Sequence, residues 1–182
     1  MTPGIARTDG LYLRAAAQED IPALSALSAA ARARYAGWPD LAFVATAPPL
    51  GPDRFAAGET LVARLEDDPT PLGFVLLRPL DGLLYLDNIS VASNAGGRGI
   101  GTLLLAAAEA RRLALGLPGI SLTTFRAPPW NGPWFRRQGF APMPRDAIGA
   151  GLADVIARQN RMLDPASREV LWRSSFDTGR EG

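Results

Sequence analysis

The sequence lacks cysteine and histidine, and all 19 of its basic residues are arginine, so it also lacks lysine. Without histidine and cysteine, Ser-His-Asp hydrolysis, Cys-His catalysis and zinc sites built on these ligands are excluded. Without lysine, Schiff-base catalysis and a phosphate loop of the Walker type are excluded as well. Carboxylates, hydroxyls, guanidinium groups and backbone amides are therefore the groups that remain for chemistry.

Long apolar runs and a strong net charge are missing too. No run reaches the roughly 20 apolar residues that a membrane span needs, and residues 1–20 lack the apolar core of a signal peptide. The formal net charge of +1 gives no overall electrostatic signature for nucleic acid. Because the lack of disulfides fits a reducing compartment, we expect a cytoplasmic protein with neither a membrane nor a nucleic acid as partner.

The length and composition are those of one globular domain. The chain has 182 residues, of which 47% are hydrophobic and 20% are charged. A chain of this size can bury a sizeable core, and no repeat, low-complexity block or linker interrupts it. We expect a flexible N-terminus at residues 1–10, a single domain at 11–174 and a flexible tail at 175–182.

Hydrophobic periodicity predicts a mixed α/β fold of the α+β type. Three predicted strands, 60–66, 72–78 and 83–92, follow one another, and the other predicted strands are separated by helices or loops. A segment at 38–58 is expected to be irregular apart from one short helical turn at 53–57. The run of closely spaced strands predicts an antiparallel meander, and the strand–helix–strand unit at 83–125 predicts a parallel pair. The expected strands are 11–15, 60–66, 72–78, 83–92, 120–125, 140–143 and 169–172, and the expected helices are 21–35, 102–115, 133–138 and 148–163.

A glycine-rich turn at residues 93–101 joins one predicted strand to the next predicted helix. Clustered glycines allow left-handed backbone and let a ligand approach the amide groups closely. The first amides of the following helix lack intrahelical partners and carry the positive end of the helix dipole. We therefore interpret the turn as a phosphate-binding loop in which Arg98 adds a planar donor, the alternative being a turn without a ligand.

The glycine spacing excludes two common nucleotide loops. A dinucleotide loop of the form G-x-G-x-x-G does not fit, because Thr102 stands three residues after Gly99. A Walker loop does not fit, because the chain has no lysine. The loop is thus not predicted to bind a nucleotide in either of these ways.

The segment Gly97-Arg98-Gly99-Ile100-Gly101 resembles the pyrophosphate loop of the GNAT acetyltransferase superfamily, whose usual form is [QR]-x-x-G-x-[GA]. Gly99 and Gly101 match the two loop glycines, whereas Gly96 stands where the family usually has Gln or Arg. A second segment, at residues 131–140, resembles the family's second motif, an asparagine followed by an aromatic pair and a closing Gly-Phe. Both motifs and the order of elements resemble the family from residue 11 to residue 173.

The resemblance implies that acetyl-CoA is the co-substrate and that no metal is used. In the family, acetyl-CoA lies where the fourth and fifth strands splay apart, here 83–92 and 120–125. The fourth strand would hold the thioester and pantetheine arm, the loop the pyrophosphate, and the second motif the far side of the pantetheine. The implied cofactor-binding residues are Ile89, Ser90, Val91, Gly96, Gly97, Arg98, Gly99, Ile100, Gly101, Thr102, Asn131 and Phe135.

For catalysis, the resemblance implies Asp87 as the base, because the family often has a carboxylate four residues before the position of Val91. Strand alternation places Tyr85 and Asp87 on one face. Phe135 stands where the family commonly has a tyrosine acid, so Tyr85 is our candidate acid. The alternative is that Asp87 or its neighbour Asn88 only hydrogen-bonds within the sheet, and Glu19, Asp40 and Glu59 are weaker base candidates. Thr124 or water could donate the proton in place of Tyr85. Two further alternatives are that the CoA thiolate leaves unprotonated and that the protein has lost catalytic activity.

The implied activity is direct transfer of an acetyl group, within a ternary complex, to a primary amine of a small molecule or peptide. The alternative is a CoA-binding regulatory or catalytically silent GNAT-like protein, and a homodimer is one option. An apolar acceptor wall is expected at residues 35–55 together with the helix at 148–163, the alternatives being core packing for the aromatic residues and a lid or oligomer face for the helix. Three arginines, Arg126, Arg136 and Arg137, are candidates to hold an acidic acceptor or the ribose phosphate, or else they lie on a solvated face.

Overall fold

A computed structural model describes residues 7–8 and 10–174, with side chains from residue 10 onward. The expected flexible ends at 1–6 and 175–182, and residue 9, lie outside the described residues. The chain divides into two compact units. The first has the bounds Met1–Arg78 and Asn88–Arg111, and the second has the bounds Pro79–Asp87 and Arg112–Gly182.

Apart from the short strand β1, the strands and helices of the described chain follow the order that the sequence predicts. Strands β4 and β5 and helix α3 contribute residues to both units. In chain order the elements are β1 Arg7–Thr8, β2 Leu11–Ala15, α1 Ile21–Ala31, α2 Pro52–Ala56, β3 Glu59–Leu65, β4 Asp68–Leu80, β5 Leu83–Val91, α3 Ile100–Ala114, β6 Gly119–Phe125, α4 Gly132–Arg137, β7 Ala141–Pro142, α5 Ala150–Gln159 and β8 Arg168–Ser174.

In the first unit, β1, β2, β3 and β4 are neighbours in that order and run antiparallel. Val62 lies opposite Phe74, so the antiparallel meander predicted for the strands at 60–66, 72–78 and 83–92 is confirmed for its first pair, β3 and β4. The antiparallel pairing of β2 with β3, with Leu13 opposite Ala63, extends it. The β1 pairing uses two residues of the stretch that was expected to be a loose end. Apolar side chains of β3, β4, α1 and α2 form the core of this unit, namely Leu24, Leu27, Phe55, Val62, Phe74 and Leu76.

A buried carboxylate lies at the start of α1. Asp20 is 5% exposed and accepts hydrogen bonds from Arg14 at 2.6 and 3.0 Å and from the Ala17 amide at 2.7 Å. Arg64 on β3 adds an ion pair. The hydrogen bonds from Arg14 lower the pKa of Asp20, burial opposes that shift, and the Ala17 amide and the charge of Arg64 reinforce it. This network ties β2, β3 and α1 together.

In the second unit, β5, β6, β8 and β7 are neighbours in that order. The β5–β6 pair is parallel, with Leu84 opposite Ile120 and Tyr85 opposite Ser121, which confirms the predicted strand–helix–strand unit. β6 and β8 are antiparallel, and their register runs from Gly119 opposite Ser174 at one end of β6 to the far end at Phe125. The mixed α/β class predicted from the sequence is thus confirmed.

The β4–β5 turn anchors helix α5. Asp81 and Gly82 have φ angles of 51° and 78°, as a type I′ hairpin turn requires. The Asp81 carboxylate accepts hydrogen bonds from the amides of Gly151 at 3.0 Å and Leu152 at 2.7 Å, in the first turn of α5. The helix then packs Leu152 and Val155 against β5 and Met143. Asp81 therefore contributes its backbone to the hairpin turn and its side chain to the start of α5.

Several boundaries differ from the prediction. Helix α1 ends at Ala31 rather than at residue 35, and Arg32–Gly37 form a 3₁₀ helix. Strand β4 spans Asp68–Leu80 rather than 72–78. Helix α3 begins at Ile100, two residues earlier than expected, and α5 spans Ala150–Gln159 rather than 148–163. The segment expected to be irregular contains a 3₁₀ helix, Pro39–Thr46, ahead of α2. Within the described ranges, the helices all fall short of the length and apolarity that crossing a bilayer demands.

Candidate functional site

The glycine-rich turn of the first unit holds two residues in left-handed conformation. Gly97 and Gly99 both have φ of +75°, which side-chain-bearing residues rarely adopt. A Cβ added at either position would meet no heavy atom within 4 Å, so packing does not explain why glycine is there. Gly96, at φ of −61°, has a backbone conformation that any residue can adopt. The loop therefore combines two left-handed glycines with open space beside their Cα atoms.

Helix α3 begins directly behind this loop. Its first hydrogen bond runs from the Leu103 amide to the Gly99 carbonyl, at 2.9 Å. The amides of Ile100, Gly101 and Thr102 precede that bond and have no acceptor within the helix. Helix α3 is 15 residues long, so these amides carry the positive end of a sizeable dipole. Loop and helix together offer an anion several backbone donors.

Close packing fixes the position of this helix start. Ile100 and Leu104 are 1% and 0% exposed. Gly73 on β4 makes room for them, because a Cβ there would lie 2.8 Å from the Ser90 carbonyl oxygen and 3.1 Å from a methyl carbon of each of Ile100 and Leu104. The donors at the loop are therefore held by a rigid strand and helix.

The remaining predicted cofactor residues of the first unit flank the loop. The Arg98 side chain is exposed and makes no hydrogen bond or ion pair with any residue that the structure describes. Ser90 donates a hydrogen bond to the Asn88 side-chain oxygen at 2.7 Å, which shows that these two residues share one face of β5. Ile89 and Val91 consequently belong to the other face, as strand alternation predicts.

The candidate catalytic residues Tyr85 and Asp87 lie on the part of β5 that belongs to the second unit. Tyr85 is 1% exposed and its hydroxyl lies 3.2 Å from the Thr123 hydroxyl. Asp87 is half-buried. Among the described residues, the β5–β6 pairing ends at Tyr85 and Ser121, although both strands continue. The splay of the two strands beyond this pair, which the family resemblance implies, stays a prediction.

The second motif, residues 131–140, contains the whole of α4, and Asn131 directly precedes the helix. The Asn131 carbonyl accepts a hydrogen bond from the Phe135 amide at 3.0 Å. Phe135 is 4% exposed and makes edge contacts with Trp134, at a ring-centroid distance of 4.9 Å, and with Phe140, at 5.5 Å. The ring that replaces the usual tyrosine therefore belongs to a buried aromatic cluster. The roles of Asn131 and Phe135 toward a cofactor stay predictions.

A cavity of about 300 Å³ lies in the second unit, lined by residues of β6, β8, α5 and the segments beside them. Thr123 and Arg168 line it, and Arg168 donates to the Thr123 hydroxyl at 3.1 Å and to the Gln159 side-chain oxygen at 3.3 Å. Arg145 also lines it. Sequence reasoning missed Thr123, Arg145 and Arg168, since no motif marks them and folding alone brings them together.

The three arginines that the sequence suggested for an acidic acceptor or the ribose phosphate contact different groups in the structure. Arg136 forms an ion pair with the buried Glu169 carboxylate, and Arg126 lies 3.5 Å from the same oxygen while also lining the cavity. Arg137 donates to the Pro129 carbonyl at 3.3 Å. Arg126 also donates a hydrogen bond to the Arg168 carbonyl at 2.8 Å. All three arginines therefore have partners within the protein, and Arg126 is the one that lines the cavity.

Other candidates from the sequence lie in the first unit. Tyr35 and Phe55 are 7% and 5% exposed and belong to the protein interior, whereas Phe43 is 51% exposed. Glu59, a weaker base candidate, accepts a hydrogen bond from Arg111 at 2.6 Å. In the part of the chain that the structure describes, no group of three or more side chains suited to a metal ion occurs.

Comparison with known proteins identifies the family. The model of the acetyltransferase (GNAT) family matches residues 24–140. Three crystal structures share the fold at low identity. N-acetylglutamate synthase from Neisseria gonorrhoeae, with coenzyme A and N-acetyl-glutamate, has 17% identity and a TM-score of 0.67, and the match covers 93% of this chain and 36% of that one. PaiA N-acetyltransferase from Thermoplasma acidophilum, with coenzyme A, has 14% identity and a TM-score of 0.66, and the match covers 90% of this chain and 98% of that one. The ribosomal-protein-S18-alanine N-acetyltransferase from Escherichia coli has 13% identity and a TM-score of 0.62, and the match covers 90% of this chain and 93% of that one.

This chain spans about a third of the length of the Neisseria synthase and nearly the whole length of the other two. The family match covers more than half of the chain and includes the glycine loop, the end of β5 and the second motif. The mixed sheet with one parallel pair is the fold of the same family. The chain therefore belongs to the GNAT family of acetyltransferases.

Proposed function

We propose that this protein is an N-acetyltransferase that moves an acetyl group from acetyl-CoA to a primary amine of a small molecule or peptide. The single observation that carries the proposal is the pair of left-handed glycines, Gly97 and Gly99, placed before the unpaired amides of α3. Membership of the GNAT family supports it, because acetyl-CoA is the co-substrate of that family. A cytoplasmic location and a single domain belong to the same proposal.

The residues of the loop fit a diphosphate. A Cβ at Gly97 or Gly99 would point into open space, so the space beside the backbone is free for a ligand. The amides of residues 100–102 supply donors, and the exposed guanidinium of Arg98 supplies a further charge. When bound, acetyl-CoA supplies a thioester, whose carbonyl carbon is open to attack by an amine.

The chain's own residues handle the protons of the transfer. We assign to Asp87 the removal of one proton from the attacking amine, so that a C–N bond forms as the C–S bond breaks. The electron pair of that bond leaves on the CoA sulfur, and Tyr85 protonates the thiolate. The proton that Asp87 gains balances the proton that Tyr85 loses, and exchange with solvent restores both groups. Thr123 orients the Tyr85 hydroxyl through the hydrogen bond between them. Direct transfer needs no covalent acetyl-enzyme, which agrees with a chain that lacks cysteine.

Relatives support two acceptor classes. The Neisseria structure contains an acetylated amino acid, and the Escherichia coli enzyme is named for an alanine of a ribosomal protein. Both acceptors present a primary amine, so amino acids and peptides are the first classes to test. A CoA-binding protein without activity is the second candidate, and it is favoured by one observation, the buried Phe135 that stands in place of the usual tyrosine.

Two measurements on the intact protein test the proposal. Acetyl-CoA should raise the thermal unfolding temperature, and thiol release should be measured over a panel of amino acids, peptides and polyamines. Stabilisation with thiol release supports the acetyltransferase. Stabilisation without release from any amine supports the binding protein, and the absence of both contradicts the assignment of the loop.

A further inference from the structure

The cavity of the second unit carries more positive charge than its surroundings neutralise. Arg126, Arg145 and Arg168 line it, and Glu169 is the one acidic residue in the lining. Glu169 is 8% exposed and already forms an ion pair with Arg136, a residue that does not line the cavity. The lining therefore has an excess of two positive charges, a pattern that attracts an anionic group.

Arg145 is the most available of these arginines. It is exposed, and its side chain forms no hydrogen bond or ion pair with any described residue. Arg168 is half-buried and held in place by Thr123, by Gln159 and by the Phe125 ring, 4.5 Å from its guanidinium carbon. One guanidinium is thus fixed in the lining and a second can adjust to a ligand.

The cavity also lies next to the candidate acid. Thr123 lines the cavity and is hydrogen-bonded to the Tyr85 hydroxyl. At about 300 Å³ the cavity is at the small end of ligand sites, which suits a small molecule or a chain end better than an internal stretch of polypeptide. Apolar side chains such as Met143 and Ile156 line it as well.

We propose that this cavity binds an acceptor amine that carries a carboxylate, with Arg145 and Arg168 holding the carboxylate. Guanidinium and carboxylate are planar and match each other with two parallel hydrogen bonds. The carboxylate end is then fixed at the arginines, and the amine end is directed toward Thr123 and Tyr85. This inference rests on the proposed acetyl transfer and specifies its acceptor as an amino acid or as a short peptide with a free C-terminus.

The test compares matched acids and amides at saturating acetyl-CoA. The pairs are β-alanine with β-alaninamide, glycine with glycinamide, and trialanine with trialaninamide, and 2-aminoethyl phosphate serves as the phosphate arm. In thiol-release assays, the acid of at least one pair should have a KM about tenfold below that of its amide. A difference in KM for the β-alanine or glycine pair indicates an amino acid as acceptor, and a difference for the trialanine pair indicates a peptide. Equal KM values within every pair, or a preference for the phosphate, would overturn the proposal.

A single variant links the preference to the cavity. Arg145→Gln should raise the KM for the preferred acid about tenfold, with kcat and the KM for acetyl-CoA within twofold of the wild-type values and the KM for the amide unchanged. The matched control is Arg158→Gln, which removes an exposed arginine of α5 that does not line the cavity. It should behave as the wild type. Equal losses for acid and amide in Arg145→Gln would contradict the role of this arginine.

Calorimetry separates this proposal from the proposed function. The same acids are titrated into the protein in the presence of coenzyme A, which needs no transfer. If no amine releases thiol but an acid binds, and binding is lost in Arg145→Gln and kept in Arg158→Gln, the acetyltransferase is wrong and the carboxylate site stands. If none of the acids binds and none is acetylated, the carboxylate site is wrong.

Discussion

The glycine loop of the first unit and the arginine-lined cavity of the second unit would recognise anions in different ways. The loop presents backbone amides, and its shape depends on two left-handed glycines with no atom within 4 Å of an added Cβ. The cavity presents side chains from β6, β8 and the region of α5. A backbone site depends on conformation at a few consecutive positions, whereas a side-chain site depends on how distant segments pack.

Glycines show the same contrast. A Cβ at Gly97 or Gly99 would meet nothing, whereas a Cβ at Gly149, before α5, would overlap the Asp81 carboxyl group. Glycine at the loop leaves space for a ligand, and glycine beside α5 leaves space for the protein itself. Substitutions at the loop should therefore change cofactor affinity, and substitutions beside α5 should change stability and acceptor binding.

The largest effect is expected for Tyr85→Phe, which keeps the buried ring and removes the hydroxyl that contacts Thr123. If Tyr85 protonates the leaving thiolate, kcat should fall by about 100-fold, as is typical for loss of a general acid, while acetyl-CoA affinity stays within twofold. Steady-state thiol release and calorimetry measure the two quantities. Tyr12→Phe, which removes a hydroxyl from β2, is the control and should retain kcat. An undiminished kcat in Tyr85→Phe would rule out this acid.

The next effect concerns the loop backbone. Valine at position 99 must adopt a φ of +75°, which costs about 1–2 kcal/mol, so Gly99→Val should weaken acetyl-CoA binding about tenfold. The control is Gly116→Val, because Gly116 has a φ of +65° and open space but follows α3. Both variants should lose similar stability to denaturant, and only Gly99→Val should lose affinity. Equal affinities in calorimetry would remove the loop from the cofactor site.

A smaller effect is expected at the anchor of α5. Asparagine at this position also tolerates left-handed backbone. Asp81→Asn removes the carboxylate whose two oxygens accept hydrogen bonds from the amides of Gly151 and Leu152. The free energy of unfolding should fall by about 1 kcal/mol, and the acceptor KM should rise about threefold with acetyl-CoA affinity unchanged. Asp154→Asn, on the exposed face of α5, is the control. A change in acetyl-CoA affinity would show that the two regions are not separable.

The smallest effect is expected for Arg98→Gln. Its guanidinium is exposed and screened by solvent, so its loss should weaken acetyl-CoA binding only about threefold. The effect should shrink further in high salt, whereas that of Gly99→Val should not. Arg161→Gln, another exposed arginine, is the control. A loss at Arg98 larger than that at Gly99 would reverse the comparison, because the side chain would then dominate the cofactor site.

The sequence predicted the fold and the loop because local signals specify them. Hydrophobic alternation marked the strands, and the glycines from Gly96 to Gly101 marked the strand-to-helix turn that the structure forms. The end of α3 and the short helix α4 followed from glycine and proline positions. Element boundaries moved by one to a few residues where tertiary contacts decide, as at α5, whose first turn is set by Asp81.

The cavity was beyond prediction for a physical reason. Arg145 and Arg168 stand 23 positions apart in the chain, and Thr123 is another 22 positions before Arg145, so no local spacing relates them. Charge alone also misled, since Arg136 was a candidate for an acidic ligand and instead binds the buried Glu169. Among the arginines of this chain, the sequence does not separate those proposed to bind a ligand from those that form ion pairs within the protein.

The most direct test of the central claim, that backbone amides of the loop hold acetyl-CoA, is a titration followed by amide resonances of ¹⁵N-labelled protein. The account predicts that the largest shifts on adding acetyl-CoA fall on residues 97–102 and on Ile89 and Val91, and that an acid from the acceptor panel, added afterwards, shifts Thr123 and Arg145. Saturable binding that leaves the amides of residues 97–102 unmoved would contradict the account.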